Sequence, residues 1–172
     1  MHELKPIDHS ILFELMKNSR RSDRDIAKAL GVSQPTVTRK RASLEKELIE
    51  AYTLIPRWSK LGYSLMSIVL AKVRVGPPGN HEARYAEVMK RGAEWLASQP
   101  NILMAGGCRG MGVESFMISI HKTYADFDEF MNNCRLRLGD LVEIVQFIIV
   151  NLAGREVLKP LNPVYLAEAE TR

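Results

Sequence analysis

Apolar side chains recur at helical spacing near the start of the chain. Ile11, Leu12, Leu15 and Met16 follow the i, i+1, i+4, i+5 pattern of one buried helix face, and Asp8 stands where an N-cap is expected. This pattern predicts a first short helix that ends within residues 18–21.

Two further short helices are predicted between residues 22 and 48. Ser22 would cap the second helix, and Gly31 would end it, because glycine adopts the left-handed conformation that a tight turn between helices requires. Ser33 would cap the third, longer helix. A short helix, a tight turn and a longer helix together predict a helix-turn-helix over residues 22–44.

The third helix presents a polar outer face when Val37 is set towards the interior. At about 100° per residue, its N-terminal and outer positions carry side chains suited to base edges in the major groove of DNA. The predicted base-reading residues are Gln34, Thr36, Thr38 and Arg39. The predicted phosphate contacts, which add affinity without sequence information, are Arg24, Lys40, Ser43 and Lys46. The alternative is that residues 39–41 form only a solvated basic face.

Strand-like and helix-like stretches alternate after residue 64. The predicted order is a strand at Leu65–Val75, a break at Gly76–Gly79, a helix at His81–Ser98, a strand at Asn101–Ala105, a glycine-rich turn at Gly106–Gly112, a strand at Glu114–His121, a helix closed by Gly139, and a strand at Val142–Val150. This order predicts a ferredoxin-like βαββαβ unit with two helices on one face of an antiparallel sheet. The other sheet face would lack a cover, which predicts self-association.

The predicted fold class is therefore α+β, with two domains. Residues 1–57 would form the helix-turn-helix (winged-helix-like) domain, which ends in a hinge strand over Leu48–Ile55. Residues 58–172 would form the ferredoxin-like domain, used for ligand binding and oligomerisation.

Composition excludes several classes of protein. The 172 residues are 46% hydrophobic and 26% charged, as in an ordinary globular protein, and the longest apolar runs are too short to cross a membrane. Met1–Ser10 contains no signal-peptide core. Two cysteines and four scattered histidines predict neither a disulfide framework nor a metal site. We therefore expect a cytoplasmic protein without a metal or cofactor and without a membrane partner.

The positive charge is confined to the first third of the chain. Residues 1–60 contain twelve Lys or Arg and eight Asp or Glu, whereas residues 61–172 contain twelve of each. The whole net charge of +4 therefore lies within residues 1–60, which contain the predicted helix-turn-helix domain. Such an excess is expected of a segment that faces a polyanion such as double-stranded DNA.

Four segments of the first 60 residues resemble the DNA-binding domain of the Lrp/AsnC family of transcriptional regulators. They are Ile7–Leu15, Asn18–Ser22, Ile26–Ser33 and Leu44–Glu47. The resemblance implies a sequence-specific regulator that dimerises through its C-terminal domain and assembles further into tetramers or octamers. Two positions depart from the family pattern: Leu48 replaces a usual glycine, and Arg41 replaces a usual aliphatic residue. We expect the stem of Arg41 to pack and its head to reach a phosphate.

A small-molecule site is a further expectation at the glycine-rich turn. The equivalent turn of the resembling family carries a Gly-x-Tyr-Asp-like element at an effector site, whereas this chain has Gly-Met-Gly-Val-Glu at residues 110–114. Charged groups there can complement an amino acid or another small effector. The residues concerned are Arg109, Gly110, Gly112 and Glu114. His121, which ends a predicted strand, is expected at the surface or at an interface.

Two other function classes remain open at this stage. Sirohaem decarboxylases are similar to Lrp/AsnC proteins and are enzymes, but no His, Arg or Tyr cluster is visible in the C-terminal half of this chain. A ligand-sensing module that does not itself bind DNA is the other alternative. The basic third helix favours the DNA-binding regulator, and no catalytic residue is predicted.

Overall fold

A computed structural model of the chain describes residues 4–74, 81–154, 157–160 and 162–169. The chain divides into two units, Met1–Ile55 with Pro160–Arg172, and Pro56–Lys159. The predicted division after residue 57 kept the whole C-terminal segment in the second domain. The structure instead joins that segment to the first unit, because a short helix near the C-terminus packs on the first helix.

Three helices and this C-terminal helix build the first unit. They are α1 (Pro6–Lys17), α2 (Asp23–Leu30), α3 (Gln34–Glu47) and α6 (Val164–Ala169). One buried cluster joins α1, α2 and α3, and it consists of Ile11, Leu15, Ile26, Ala27, Val37 and Leu44. The predicted helix-turn-helix and its inward residues Val37 and Leu44 are confirmed.

The helix ends show which sequence signals operate. Ser22 accepts a hydrogen bond from the amide of Asp25 at 3.2 Å, and Gly31 adopts φ 66°, as the caps of α2 require. Asp8, however, is not the N-cap of α1. The helix begins at Pro6, and Asp8 accepts a hydrogen bond from the amide of Lys5 at 3.0 Å from within the first turn.

The segment between the two units differs from prediction. Residues 50–57 form no strand, and a short 3₁₀ helix follows at Trp58–Leu61. A hinge strand needs a neighbouring strand to accept its backbone hydrogen bonds, and within the described chain this segment pairs with none.

The second unit is a four-stranded antiparallel sheet with two helices. Its elements are β1 (Leu65–Val73), α4 (His81–Ala97), β2 (Ile102–Gly110), β3 (Val113–His121), α5 (Tyr124–Leu138) and β4 (Val142–Asn151). The strand order β2-β3-β1-β4 confirms the predicted ferredoxin-like fold. The predicted end of the first strand at Val75 and the break at Gly76–Gly79 lie outside the described residues.

Both helices pack on the same face of the sheet. Val69 and Met117 from the strands contact Trp95 from α4 and Phe127 and Phe130 from α5 in one buried cluster. Neighbouring residues on a strand point to opposite faces, so Ile68 and Ile118 lie on the face away from these helices.

The glycine-rich segment is mostly strand rather than turn. The predicted turn over Gly106–Gly112 is wrong in extent, because β2 continues to Gly110 and pairs there with Val113. Only Met111 and Gly112 form the hairpin loop, with φ 53° and 73°, as a two-residue turn with positive φ requires. At Gly106 the ring of Phe116 lies 3.5 Å from the place of a Cβ atom, an ordinary van der Waals contact.

A buried polar cluster lies beneath α5. His121 is 3% exposed, so its predicted place at the surface is wrong. Its Nε2 atom lies 2.9 Å from Ser119 Oγ, which in turn lies 2.8 Å from Ser67 Oγ. The imidazole ring contacts Phe127 and Phe130, and these aromatic contacts remove it from water.

Candidate nucleic-acid interface

The outer face of α3 carries basic and polar side chains that the fold does not use. Gln34, Arg39 and Lys46 on α3 and Arg24 on α2 are exposed. Within the described part of the chain, none of the four makes a hydrogen bond or an ion pair. Their donors are therefore available to a partner.

Three other predicted site residues on α3 already use their hydroxyl groups. Thr36 Oγ1 lies 2.8 Å from Ser33 Oγ, and Ser43 donates to Glu47 at 3.1 Å. Thr38 donates to Asp23 Oδ2 at 2.7 Å, which links α3 to the start of α2. Thr38 and Ser43 would therefore meet a ligand with their acceptor lone pairs, whereas either oxygen can be the donor between Thr36 and Ser33. Both threonines also offer a methyl group.

Lys40 is turned towards α1 rather than outwards. Its Nζ atom lies 2.6 Å from Asp8 Oδ1, and only about a fifth of either side chain is exposed. The hydrogen bond from Lys40 lowers the pKa of Asp8 below its ordinary value of 3.8, against the opposing effect of burial. A phosphate contact by Lys40 therefore remains a prediction that requires this pair to open.

Arg41 forms the largest polar network among the described residues of the first unit, and the sequence did not reveal it. Its guanidinium donates to Asp23 Oδ1 at 3.1 Å, to Glu45 Oε1 at 2.9 Å and to the carbonyl oxygen of Arg21 at 3.2 Å. Tyr52 donates its hydroxyl to the same Glu45 oxygen at 2.9 Å, and its ring centroid lies 5.5 Å from the guanidinium carbon. The expected reach of Arg41 to a phosphate is not seen, because its head is held inside the unit.

The ionisation of this network follows from its contacts. Burial by itself lowers the pKa of Arg41, but the hydrogen bonds to Glu45 and Asp23 outweigh it and raise the pKa. Hydrogen bonds from Tyr52 and Arg41 lower the pKa of Glu45. Arg41 and Glu45 are therefore both charged near neutral pH, and the positive charge of Arg41 is balanced within the unit.

A second polar site lies at the hairpin of the second unit. All four predicted effector residues line one open cavity of about 600 Å³, together with Lys72, Val73, Arg74, Val113 and Glu143. Glu114 accepts a hydrogen bond from the amide of Val73 at 2.8 Å, and Lys72 pairs with Glu143 at 3.4 Å. Arg109 makes no such contact within the described residues.

The described residues contain no group of three or more potential metal ligands. Among the same residues, no helix is both long enough and apolar enough to cross a membrane.

The first unit matches a known domain. Residues 6–45 match the AsnC-type helix-turn-helix domain. The regulator LrpA of Pyrococcus horikoshii is 44% identical over 62 residues, which are 36% of this chain and 44% of LrpA. The chain spans about half the length of the curated relatives it matches.

Solved structures are similar over nearly the whole chain. LrpC of Bacillus subtilis superposes with a TM-score of 0.69 over 92% of this chain and all of LrpC, at 23% identity. A transcriptional regulator of Neisseria meningitidis, solved as a complex with L-Met, superposes with a TM-score of 0.73 over 90% of this chain and 92% of that regulator, at 14% identity. These likenesses establish the two-unit fold.

The helix-turn-helix geometry at residues 6–45, the AsnC-type domain that matches it and the ferredoxin-like second unit agree on one assignment. Residues 6–45 are therefore an AsnC-type helix-turn-helix domain, and the chain as a whole has the fold of LrpC.

Proposed function

We propose that this protein is a sequence-specific transcriptional regulator that binds double-stranded DNA. The observation that carries the proposal is the division of charge on α3. Lys40 and Arg41 are held by carboxylates within the unit, whereas Gln34, Arg39 and Lys46 are exposed and unpaired within the described residues. A helix-turn-helix that leaves these donors free on its second helix fits the major groove of DNA.

The proposed docking places the N-terminal half of α3 against base edges. Gln34 can pair with adenine through two hydrogen bonds, Arg39 can do the same with guanine, and Thr36 and Thr38 offer methyl groups to thymine. Phosphates would be met by Arg24, Ser43 and Lys46, and by Lys40 if its pair with Asp8 opens. Relatives of this chain are named as helix-turn-helix transcriptional regulators, which supports this assignment.

We propose that the regulator acts as a dimer built on the face of the sheet away from α4 and α5. That face carries Ile68 and Ile118 at its centre, and Met104 and Ile148 beside them are 57% and 48% exposed. A broad apolar sheet face favours self-association. Such a dimer would bind two half-sites separated by about 34 Å, one turn of the duplex, so a roughly palindromic operator is expected.

We also propose that a small molecule with a carboxylate modulates binding at the cavity beside the hairpin. Arg109 supplies an unpaired guanidinium among the described residues, and Glu114 supplies a carboxylate that can meet an ammonium group. An amino acid has both groups. The similar Neisseria regulator was solved with L-Met, which makes amino acids the first ligands to test by calorimetric titration. A DNA partner and two free cysteines favour a cytoplasmic location.

The test is DNA binding by the purified protein. Fragments selected from a random pool would be titrated in a gel-shift assay with the wild type, the double variant Gln34→Ala, Arg39→Ala, and the control Lys90→Ala, which removes one exposed positive charge from α4. We expect the affinity of the double variant to fall at least about ten-fold for the selected site and less for random DNA, since the variant lacks base contacts. Equal binding by all three proteins would contradict the assignment of α3 to the groove.

A further inference from the structure

Asp23 connects two residues of α3 that have different roles. Its Oδ1 atom accepts from the guanidinium of Arg41 at 3.1 Å, and its Oδ2 atom accepts from the hydroxyl of Thr38 at 2.7 Å. A carboxylate is fixed in its plane when each oxygen holds a donor from a different direction. Arg41 therefore orients Asp23, and Asp23 orients the hydroxyl of Thr38.

The consequence for Thr38 is a defined hydrogen-bonding polarity. A threonine hydroxyl has one proton, and here that proton is given to Asp23. Thr38 can then offer DNA only its acceptor lone pairs and its methyl group. An acceptor matches the amino group of adenine or cytosine, and a methyl group matches thymine, whereas guanine presents two acceptors in the major groove.

The network also removes a charge conflict at the DNA-facing side of the unit. Asp23 carries a negative charge at the start of α2, close to the helix that would enter the groove. Arg41 neutralises it, and Glu45 and Tyr52 hold the guanidinium from the other side. Because the charge of Arg41 is used within the unit, it is not available to displace counterions from DNA.

We propose that Arg41 is a positioning residue for DNA reading: through Asp23 it fixes the hydroxyl of Thr38, and Thr38 thereby selects against guanine at one operator position. This inference rests on the proposed DNA-binding function. It differs from the phosphate contact that the sequence alone suggested for Arg41, and the two roles give different salt dependence.

The experiment compares wild type, Arg41→Gln, Arg41→Lys, Thr38→Val and Asp23→Ala on the full chain. Asp25→Ala is the matched control, since it removes another first-turn carboxylate of α2 that contacts Ser22 rather than Arg41. Three quantities are measured for each: the base preference at every position of a selected site, the slope of log affinity against log salt, and the free energy of unfolding in urea.

We expect Arg41→Gln to weaken binding to the selected site by about ten-fold, as for one lost hydrogen bond to a charged group. Discrimination against guanine should fall at a single operator position, and at the same position in Thr38→Val and Asp23→Ala. Arg41→Lys should retain part of this discrimination against guanine, and Asp25→Ala should retain all of it. The salt slope of Arg41→Gln should equal that of the wild type, whereas Lys46→Ala should reduce it by about 0.9.

Several results would overturn the inference. A slope reduced by about 0.9 in Arg41→Gln would make Arg41 a phosphate contact. A uniform loss of affinity, with every base preference kept, would make Arg41 a purely structural residue. The same conclusion would follow if Arg41→Gln and Thr38→Val altered base preference at different operator positions. If Arg41→Gln does not fold, Asp23→Ala and Thr38→Val carry the same test. A wild type that shows no salt-dependent DNA binding would instead refute the proposed function itself.

Discussion

Lys40 and Asp8 form an ion pair of 2.6 Å between α3 and α1, with 20% and 16% of their side chains exposed. Removal of one partner from a mostly buried pair is costly, because it leaves the other charge buried without compensation. We predict that Lys40→Met lowers the free energy of unfolding of the first unit by about 1 to 2 kcal/mol, because it leaves Asp8 without its partner. Urea denaturation followed by helical circular dichroism measures this change.

The same pair predicts a pH dependence. The pKa of Asp8 is lowered in the folded state, so its contribution to stability is complete above its ordinary value of 3.8 and is lost as the pH falls further. Lys40→Met should weaken this acid sensitivity. If the variant also reduces the salt slope of DNA binding by about 0.9, the pair opens on DNA and Lys40 contacts a phosphate after all.

Arg39 and Lys46 should respond differently to truncation, although both are exposed cations of α3. We predict that Arg39→Ala costs about 1 to 3 kcal/mol of binding and relaxes one operator position, as expected for a base contact. Lys46→Ala should weaken binding to all sequences alike. Titrations on the selected site and on random DNA, at several salt concentrations, distinguish the two; identical behaviour of both variants would contradict the division of roles.

Ile148 lies on the proposed dimer face, opposite Ile68 in the neighbouring strand, and is 48% exposed. We predict that Ile148→Asp converts the assembly to monomers at micromolar concentration, because a charge would be buried at the interface. Leu136→Asp is the control, since Leu136 is 85% exposed on α5, away from that face. Sedimentation velocity measures the outcome, and a wild type that is itself monomeric would contradict the dimer.

His121 makes the second unit sensitive to mild acid. Burial lowers the pKa of its imidazole below 6.5, with partial opposition from the negative charge of Asp126. The unfolded state therefore binds the proton first, and the stability of the unit should fall as the pH drops below about 6.5. Other groups around the ring are Ser67, Ser119, Phe127 and Phe130, which do not titrate in this range.

Tryptophan fluorescence isolates this effect, because both tryptophans, Trp58 and Trp95, belong to the second unit. Urea denaturation should show a lower free energy of unfolding at pH 5.5 than at pH 7.5 in the wild type, and no such difference in His121→Gln. A variant that retains the full pH dependence would assign it to another group.

Replacement by alanine should change stability in opposite directions at two glycines. Gly31 adopts φ 66° in the turn before α3, so Gly31→Ala should destabilise the first unit by about 1 kcal/mol. Gly92 lies inside α4 with nothing within 4 Å of an added Cβ atom, so Gly92→Ala should stabilise the second unit by about 0.5 to 1 kcal/mol. Urea denaturation measures both changes in stability when it is followed by helical circular dichroism for the first unit and by tryptophan fluorescence for the second.

The sequence predicted the elements whose causes are local. Ser22, Gly31 and Ser33 act through hydrogen bonds or conformations within a few residues, and the inward positions of Val37 and Leu44 follow from helical periodicity alone. The order of strands and helices after residue 64 also follows from local patterns, and it is sufficient to specify the ferredoxin-like fold.

The contacts that sequence reasoning missed join residues far apart in the chain. The sequence predicts Lys40 only as a phosphate contact, since nothing local marks Asp8, 32 positions earlier, as its partner. Arg41 is 18 positions from Asp23. The position of Arg41 beside Val37 on the helix was the one local sign of this contact, because a charge placed beside a core needs a partner of opposite charge. The continuation of β2 through its glycines likewise involves pairing with the next strand, where Gly106 lies opposite Phe116 and Gly107 opposite Ser115.

The place of α6 governs the order in which the protein can be completed. This helix packs on α1, and the entire second unit lies between them in the chain. On a ribosome the second unit can therefore be finished while the first still lacks its last helix. A fragment that ends at residue 55 contains the whole helix-turn-helix and yet leaves the α6-facing side of α1 uncovered. The helix-turn-helix is thus synthesised before the second unit and is covered by α6 only after it.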